Sequence, residues 1–133
     1  MRMTKKERER LLAELKETFD IESKISNSSS TKEEIDRLEA IAEAGSPRAE
    51  YDIGICYLNG TNREANKMAA LRWFDKCRKH ASADLQIKLC YQYFQAGMTK
   101  EADDCVERGV KDDPNVMIAA YRNMSAMEKS NKA

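Results

Sequence analysis

The feature of this sequence that most constrains its fold is an internal repeat with a period of 36 residues. A shift by that length places Ser46 on Ser82 and Tyr57 on Tyr93 without a gap. Repeats of roughly 34 to 47 residues are typical of stacked helix pairs. The small or apolar positions that also match are Gly45 with Ala81, Ala49 with Leu85, Ile53 with Leu89, and Gly54 with Cys90.

Residue usage along the chain favours an all-α fold. Ala, Glu, Lys, Leu, Met and Arg are frequent, β-branched residues are few, and no long run alternates apolar and polar side chains. Helix start and stop signals predict about seven helices joined by loops of two to five residues, which implies antiparallel neighbours. The predicted helices cover residues 4–25, 31–44, 46–59, 64–80, 82–95, 99–109 and 113–129.

The domain organisation follows from the same signals. Thr4 with Glu7 and Thr31 with Glu34 form two capping boxes, each of which marks the start of a helix. Between the first two helices lies 26–30, a Ser-rich segment predicted to be a linker. We therefore expect an N-terminal amphipathic helix over 1–25, a repeat domain over 31–129 and a tail over 130–133.

The balance of charges and the lack of a long apolar run argue against two classes of partner, nucleic acids and membranes. The chain has 23 Lys and Arg against 23 Asp and Glu, so it lacks the excess positive charge that holds phosphate backbones. The uncharged run 53–60 is far shorter than the roughly 20 residues that span a bilayer. We expect no nucleic-acid binding, no membrane binding, and a cytoplasmic location, because the N-terminus lacks the apolar segment of a secretory signal.

The four cysteines are predicted to be structural thiols. Cys56, Cys77, Cys90 and Cys105 match neither a CxxC pair nor a redox motif. In a reducing compartment such residues stay reduced, and free cysteine is among the most buried residue types.

Residues 45–60 resemble the first helix of a Sel-one-like repeat, a variant of the tetratricopeptide repeat with a longer loop between its helices. The segment from Ala70 to Cys77, with Trp73 and Phe74, is similar to the second helix. The next repeat, with Cys90 in place of the packing glycine and a shorter loop, resembles a tetratricopeptide repeat more closely. The resemblance covers about 31–129 and implies a short α/α solenoid of antiparallel helix pairs, stacked as a right-handed superhelix whose concave side binds peptides or proteins.

Catalytic chemistry is not indicated. His80 is the only histidine, and Cys77 three residues earlier is its only neighbour in sequence that could act as a nucleophile or as a second metal ligand. The acidic pairs 33–34, 103–104 and 112–113 fall at helix ends, where carboxylates offset the helix dipole. We expect no catalytic residues, no cofactor and no metal site. An enzyme with a site around Cys77 and His80 is the least favoured alternative.

The remaining candidate for a functional site is the surface of the repeat helices. The favoured function is a non-enzymatic adaptor or scaffold that binds a protein or peptide on the concave face or an end helix; an ordinary solvated face is the alternative interpretation of the same residues. The predicted partner-binding residues, which lie between core positions of the third, fifth and seventh helices, are Asp52, Ile55, Asn59, Lys88, Tyr91, Gln92, Gln95 and Arg122.

Helix one offers a second surface. Its apolar stripe, Leu11, Leu12, Leu15 and Phe19, requires burial, and the favoured expectation is that it packs on its own repeat stack as an N-terminal cap. The alternatives are a second copy of the chain, giving a self-assembling structural subunit that dimerises through helix one, or a partner. The seventh helix, at the other end of the chain, also carries apolar residues that require burial: Val116, Ala120, Tyr121, Met124 and Met127.

Overall fold

The fold is all-α. The computed structural model describes the backbone of residues 2–132 and the side chains of residues 2–123. Over these residues it is 79% helical and has no strands, which confirms the predicted fold class. None of its helices is long and apolar enough to cross a bilayer. The helices are α1 (Lys5–Ser26), α2 (Lys32–Glu43), α3 (Pro47–Asn59), α4 (Lys67–Arg78), α5 (Ala83–Gln95), α6 (Thr99–Asp112) and α7 (Pro114–Lys132).

Both predicted capping boxes are formed. The amide of Glu7 donates to Oγ1 of Thr4 at 3.1 Å, and the amide of Thr4 donates to the Glu7 carboxylate at 3.0 Å. Thr31 and Glu34 exchange the same two bonds at 3.2 and 2.9 Å. Gly45, which follows the end of α2, has a φ of +104° that favours glycine and lets α3 start at once. Local sequence signals therefore fix the starts of α1 and α2.

Three predicted helix boundaries are off by three residues: the start of the fourth helix, the end of the sixth, and the end of the seventh, which is Lys132 and not Lys129. The fourth helix begins at Lys67 and not near Glu64, because the side chain of Asn66 caps it by accepting from the amide of Ala69 at 3.1 Å. The sixth helix continues through Gly109 to Asp112. Gly109 is a packing position and not a stop signal, as the next helix shows below.

The chain forms two compact units, Met1–Cys77 and Arg78–Ala133. In the first unit, α2 contributes one apolar face, α3 packs against it, and the C-terminal half of α1 closes one side. Trp73 of α4 packs against this core. The core residues are Ile21, Ile35, Leu38, Ile41, Ala42, Ala49, Ile53 and Cys56.

Gly54 sets the distance between α3 and α4. It lies inside α3 against the fully buried ring of Phe74, and a Cβ atom at this position would stand 2.5 Å from Cε1 of that ring. The Tyr51 ring, one turn before Gly54, lies 5.7 Å from the same ring between centroids. Gly54 therefore permits the close approach of α3 and α4.

The loop between α3 and α4 is fixed by a buried arginine. The side chain of Arg63 is only 11% exposed and forms ion pairs with Asp36 at 2.7 Å and Glu39 at 3.3 Å, both on α2. The hydroxyl of Tyr57 donates to the same Glu39 at 2.5 Å, and this bond raises the pKa of Tyr57. Tyr57 is thus a half-buried core residue with a polar tip that helps to hold the loop.

The second unit is built around α5. Leu89 and Tyr93, the counterparts of Ile53 and Tyr57, are fully buried, and α6 packs along them through Ala102 and Cys105. The guanidinium of Arg78 lies 5.4 Å from the centroid of the Tyr93 ring. A half-buried cation over a buried tyrosine takes the place of the tyrosine and carboxylate pair of the first unit.

In the second unit a glycine again admits a large neighbouring side chain. Gly109 of α6 is buried against Met117 of α7, and a Cβ there would stand 2.9 Å from the Met117 Cε. The start of α7 is set by Asp113, whose carboxylate accepts from the amides of Asn115 and Val116 at 3.1 and 3.3 Å.

Helix one packs through a different face from the one predicted. Thr18 and Ile21 are its buried residues, while Leu11, Leu12 and Phe19 are 43%, 65% and 46% exposed and Leu15 is half-buried. The expectation that the Leu11, Leu12, Leu15 and Phe19 stripe is covered by the chain's own stack is therefore wrong. The hydroxyl of Thr18 donates a hydrogen bond to the carbonyl of Glu14 at 2.9 Å, and this bond allows a polar residue to occupy the packing face.

Substituting Gly54 with Ala tests the close approach of α3 and α4. The new methyl group meets a fixed ring, and overpacking of this kind costs about 1–3 kcal/mol. The gain in helix propensity of about 1 kcal/mol offsets only part of it. We expect Gly54→Ala to lower the free energy of unfolding in urea, and Gly54→Ala/Phe74→Leu to recover part of the loss. An unchanged midpoint in Gly54→Ala would contradict the packing described.

Candidate protein-binding groove

An apolar groove lies in the second unit where α7 crosses α5 and α6. Its volume is about 370 Å³, which is within the range of ordinary ligand pockets. It is open to solvent, since Tyr121 on its wall is 71% exposed and Ile118 is 49% exposed. The lining residues are Ile87, Cys90, Val106, Val110, Met117, Ile118, Ala120, Tyr121 and Arg122.

Helical periodicity explains why α5 contributes to this groove. Ile87, Cys90, Tyr91 and Phe94 are spaced at i, i+3, i+4 and i+7 and therefore share one face of α5. Tyr91 and Phe94 do not line the groove and are 52% and 67% exposed, so the apolar face of α5 continues beyond the groove. The polar side chains of α5 other than the buried Gln86 lie on the neighbouring face: Asp84, Lys88, Gln92 and Gln95.

Helix α6 supplies the opposite wall. Val106 and Val110 are four residues apart, and both are about two-fifths exposed. Behind them Cys105 and Gly109 are buried, so the wall is backed by packed side chains. Met117 of α7, 8% exposed, sits over Gly109 and forms the floor.

The walls are held in place by polar contacts away from the groove. Asp112, at the end of α6, accepts from the amide of Ala83 at 2.8 Å and so caps α5, a role that the side chain of the N-cap residue Ser82 does not perform. Asp104 binds Arg78 at 2.6 Å and Arg108 at 2.8 Å, and these arginines lower the pKa of that carboxyl. Asp112 therefore ties the end of α6 to the start of α5, and Asp104 ties the middle of α6 to Arg78.

A second depression of about 470 Å³ lies on the same unit and has a different character. Its lining mixes both signs of charge, including Lys79, His80, Arg108, Glu107 and Asp112. Several of these groups already serve the fold, since Arg108 donates to the carbonyl of Lys79 at 3.3 Å and Asp112 caps α5. We assign this depression a structural role.

The predicted partner-binding residues divide between the units. In the first unit Asp52, Ile55 and Asn59 share one face of α3, where Asp52 and Ile55 are half-buried and Asn59 is exposed. In the second unit Lys88 and Gln95 are exposed and Gln92 is half-buried. Tyr91 lies on the apolar face of α5, and Arg122 is the one predicted residue that lines the groove.

The sequence analysis missed most of the residues that form the groove. The spacing of Ile87, Cys90, Tyr91 and Phe94 was available as a signal. It was hidden because Leu89 and Tyr93 on the same helix form the buried stripe. The contributions of Val106 and Val110 depend on where α7 crosses, which no local pattern encodes. Met124 and Met127 lie outside the residues whose side chains the structure describes.

The alternative site around Cys77 and His80 has little of the geometry that catalysis needs. Cys77 is fully buried in the first unit, and its Sγ donates to the carbonyl of Pro47 at 3.2 Å. His80 is exposed. Among the described residues no group of three His, Cys, Asp or Glu side chains could hold a metal ion.

The surroundings of the thiols make them poorly reactive. None of the four cysteines is in a disulfide, three are buried, and Cys90 is half-buried, as predicted for structural thiols. Burial raises the pKa of Cys56 to about 11 and that of Cys105 to about 12. The pKa of Cys90 is also raised, first by burial and then by the nearby charge of Asp103. Thiolate, the reactive form, is therefore scarce at neutral pH.

Comparison of this chain with protein families, with curated proteins and with solved structures finds no match. The groove of the second unit is the feature that carries a functional assignment.

The reactivity of the cysteines tests the groove directly. At pH 8 in native buffer we expect slow alkylation by iodoacetamide at Cys90, the one half-buried thiol, and protection of the buried Cys56, Cys77 and Cys105. Peptide mapping by mass spectrometry would follow each site, and all four should react quickly in urea. Because the thiol pKa values are raised, the native rate at Cys90 should rise steeply between pH 8 and 10. Faster labelling of Cys56 than of Cys90 would contradict this arrangement.

Proposed function

We propose that this chain is a non-enzymatic protein–protein interaction module, an adaptor or scaffold, that binds an amphipathic helix of a partner in the groove of its second unit. The observation that carries the proposal is the exposed apolar lining of that groove, from Val106 and Val110 across to Ile118 and Tyr121. Exposed apolar patches on a water-facing surface are typical of sites that bind proteins.

The dimensions of the groove favour a helical partner. Its α7 wall runs from Met117 to Arg122, about one and a half turns of helix and roughly 8 Å. A volume of about 370 Å³ suits two or three large side chains. Anchors at i, i+3 or i+4, and i+7 of an amphipathic helix meet such a groove on one face. Arg122 at the edge favours a carboxylate on the partner beside those anchors.

We further propose that the chain is a short α/α repeat protein of the Sel-one-like and tetratricopeptide type with a right-handed superhelix. The matched positions of the two repeats behave alike. Ser46 and Ser82 both stand at the N-cap of their helices, and Ile53 and Leu89 are both fully buried. Gly54 accepts Phe74 in the manner that the resemblance implies.

Binding rather than catalysis is favoured by the chemistry of the groove. Its lining is almost entirely apolar, and its single thiol has a raised pKa, so it offers neither a nucleophile nor an acid and base pair. A cytoplasmic location fits four cysteines that remain free thiols.

A selection from a library of 16-residue amphipathic peptides, with Leu, Ile or Phe at the anchor positions, tests the proposal. We expect selected peptides to bind with micromolar Kd by calorimetry. In NMR titrations they should shift the methyl resonances of Ile87, Val106 and Ile118. The variant Val106→Ser/Tyr121→Ser should weaken binding at least tenfold, because it replaces exposed apolar contacts without touching the core.

The matched control is Lys88→Ser/Gln95→Ser on the polar face of α5. This variant should bind the selected peptides as the wild type does. Loss of binding in the control with retention in the groove variant would overturn the groove proposal and place the site on the polar face instead. Circular dichroism of each variant should show unchanged helix content, since all four positions are exposed.

A further inference from the structure

Helix α1 contributes little apolar packing to the first unit. Among the core residues of that unit only Ile21 belongs to α1, whereas α2 supplies four and α3 supplies three. Ile25 packs at the edge of this core, and Thr18, which is 1% exposed, is the other buried residue of the helix. Hydrophobic burial alone therefore holds α1 on α2 and α3 only weakly, because it stabilises in proportion to the apolar area removed from water.

Two glutamates of α1 form ion pairs with arginines of the neighbouring helices. Glu17 forms a paired contact with Arg37 of α2 at 2.8 and 3.1 Å. Both carboxylate oxygens of Glu22 accept from Nε of Arg48 of α3 at 2.9 Å. The guanidinium of Arg48 also lies 4.6 Å from the centroid of the Phe19 ring. Because the side chains of these pairs are between 21% and 53% exposed, dissolved salt reaches them.

A further ion pair lies at the end of α1. Lys24 pairs with Glu34 of α2, and the hydrogen bond from Lys24 lowers the pKa of that carboxyl. Glu34 also belongs to the capping box of α2, so this pair connects the end of one helix to the start of the next. Charged contacts therefore accompany the small apolar contact along the whole packed half of α1.

The segment that follows α1 has the features of a hinge. Ser28 has a φ of +58°, in the left-handed region that residues other than glycine rarely adopt. Beyond it the chain is attached to the rest of the unit, because the hydroxyl of Ser30 donates to Oδ1 of Asn62 at 2.7 Å and Thr31 caps α2. A rotation of α1 away from its neighbours is therefore absorbed by residues 27–29, all of which are exposed.

We propose that α1 is a latch that ionic strength opens. In dilute salt its ion pairs hold it on α2 and α3, and when salt screens them it swings away about residues 27–29. The Debye length falls from about 10 Å at 0.1 M salt to about 3 Å at 1 M, so exposed ion pairs weaken over this range.

Release of the latch changes the surface that α1 presents. It uncovers Ile21 and Ile25, which lie on the same side of the helix as Leu11 and Leu15. The released helix therefore carries a wider apolar face than the docked one. The latch belongs to the first unit and is independent of the proposed groove.

Labelling of a cysteine on the packed face of α1 tests the latch. In Thr18→Cys, iodoacetamide reaches the new thiol only when α1 leaves α2 and α3. Cys56, fully buried in the core of the same unit, reports unfolding of the unit as a whole. From about 0.05 to about 1 M NaCl we expect the labelling rate at position 18, relative to the rate in urea at the same salt, to rise about tenfold. The relative rate at Cys56 should stay constant within about twofold.

Removal of the glutamate charges should open the latch without added salt. In the Thr18→Cys background, Glu17→Gln/Glu22→Gln should raise the rate at position 18 about tenfold in dilute salt and remove most of its salt dependence. The matched control, Glu9→Gln/Glu43→Gln, neutralises two exposed carboxylates of the same unit and should behave as the parent. Hydrogen exchange of residues 18–25 against 49–56 repeats the comparison in the wild-type chain.

Three results would overturn the latch. An equal rise at position 18 and at Cys56 would show that the unit unfolds as a whole. A rate at position 18 that salt leaves unchanged would show that apolar packing alone holds α1. An equal effect of the control variant would show that the two ion pairs have no special part in docking.

Discussion

The fold depends on close approach between consecutive helices at a glycine. In the first unit Gly54 of α3 accepts the ring of Phe74, and in the second Gly109 of α6 accepts the side chain of Met117. At each site a side chain of ordinary size would force the neighbouring helix outward, since protein interiors have no spare volume. The helix pairs can pack tightly only because a large side chain of one helix enters the space that the glycine of the other leaves.

The candidate groove arises where this arrangement changes between the repeats. The position of Gly54 is taken in the second repeat by Cys90, which is half-buried and borders the groove. In the second unit the glycine that permits close packing is Gly109 of α6, and it lets the first turn of α7 pack against α6. Val106 and Val110 flank that contact and remain exposed. The same packing rule thus builds a closed core in one unit and an open apolar surface in the other.

Most of the fold could be predicted from the sequence, because its signals are local. The capping boxes at Thr4 and Thr31 act over three residues, and the buried stripes of α2, α3 and α5 follow helical periodicity. Local rules failed at two helix boundaries. Gly109 looks like a helix stop but is a packing residue against Met117, and the start of α4 is set by Asn66, whose side chain accepts from the amide of Ala69.

The candidate sites were harder to predict, because the sequence shows which side chains are apolar but not which surface covers them. In α1 the exposed Leu11, Leu12 and Phe19 form a stronger apolar stripe than Thr18 and Ile21, yet the weaker face is the one that packs on α2 and α3. Two ion pairs to arginines of those helices hold α1 in this orientation. Surface ion pairs of this kind contribute about 0–1 kcal/mol each, less than burial of a leucine. An isolated chain would therefore gain more by burying its leucines. The orientation of α1 is instead fixed by its contacts with α2 and α3, so the more apolar face of the helix is not the one that packs.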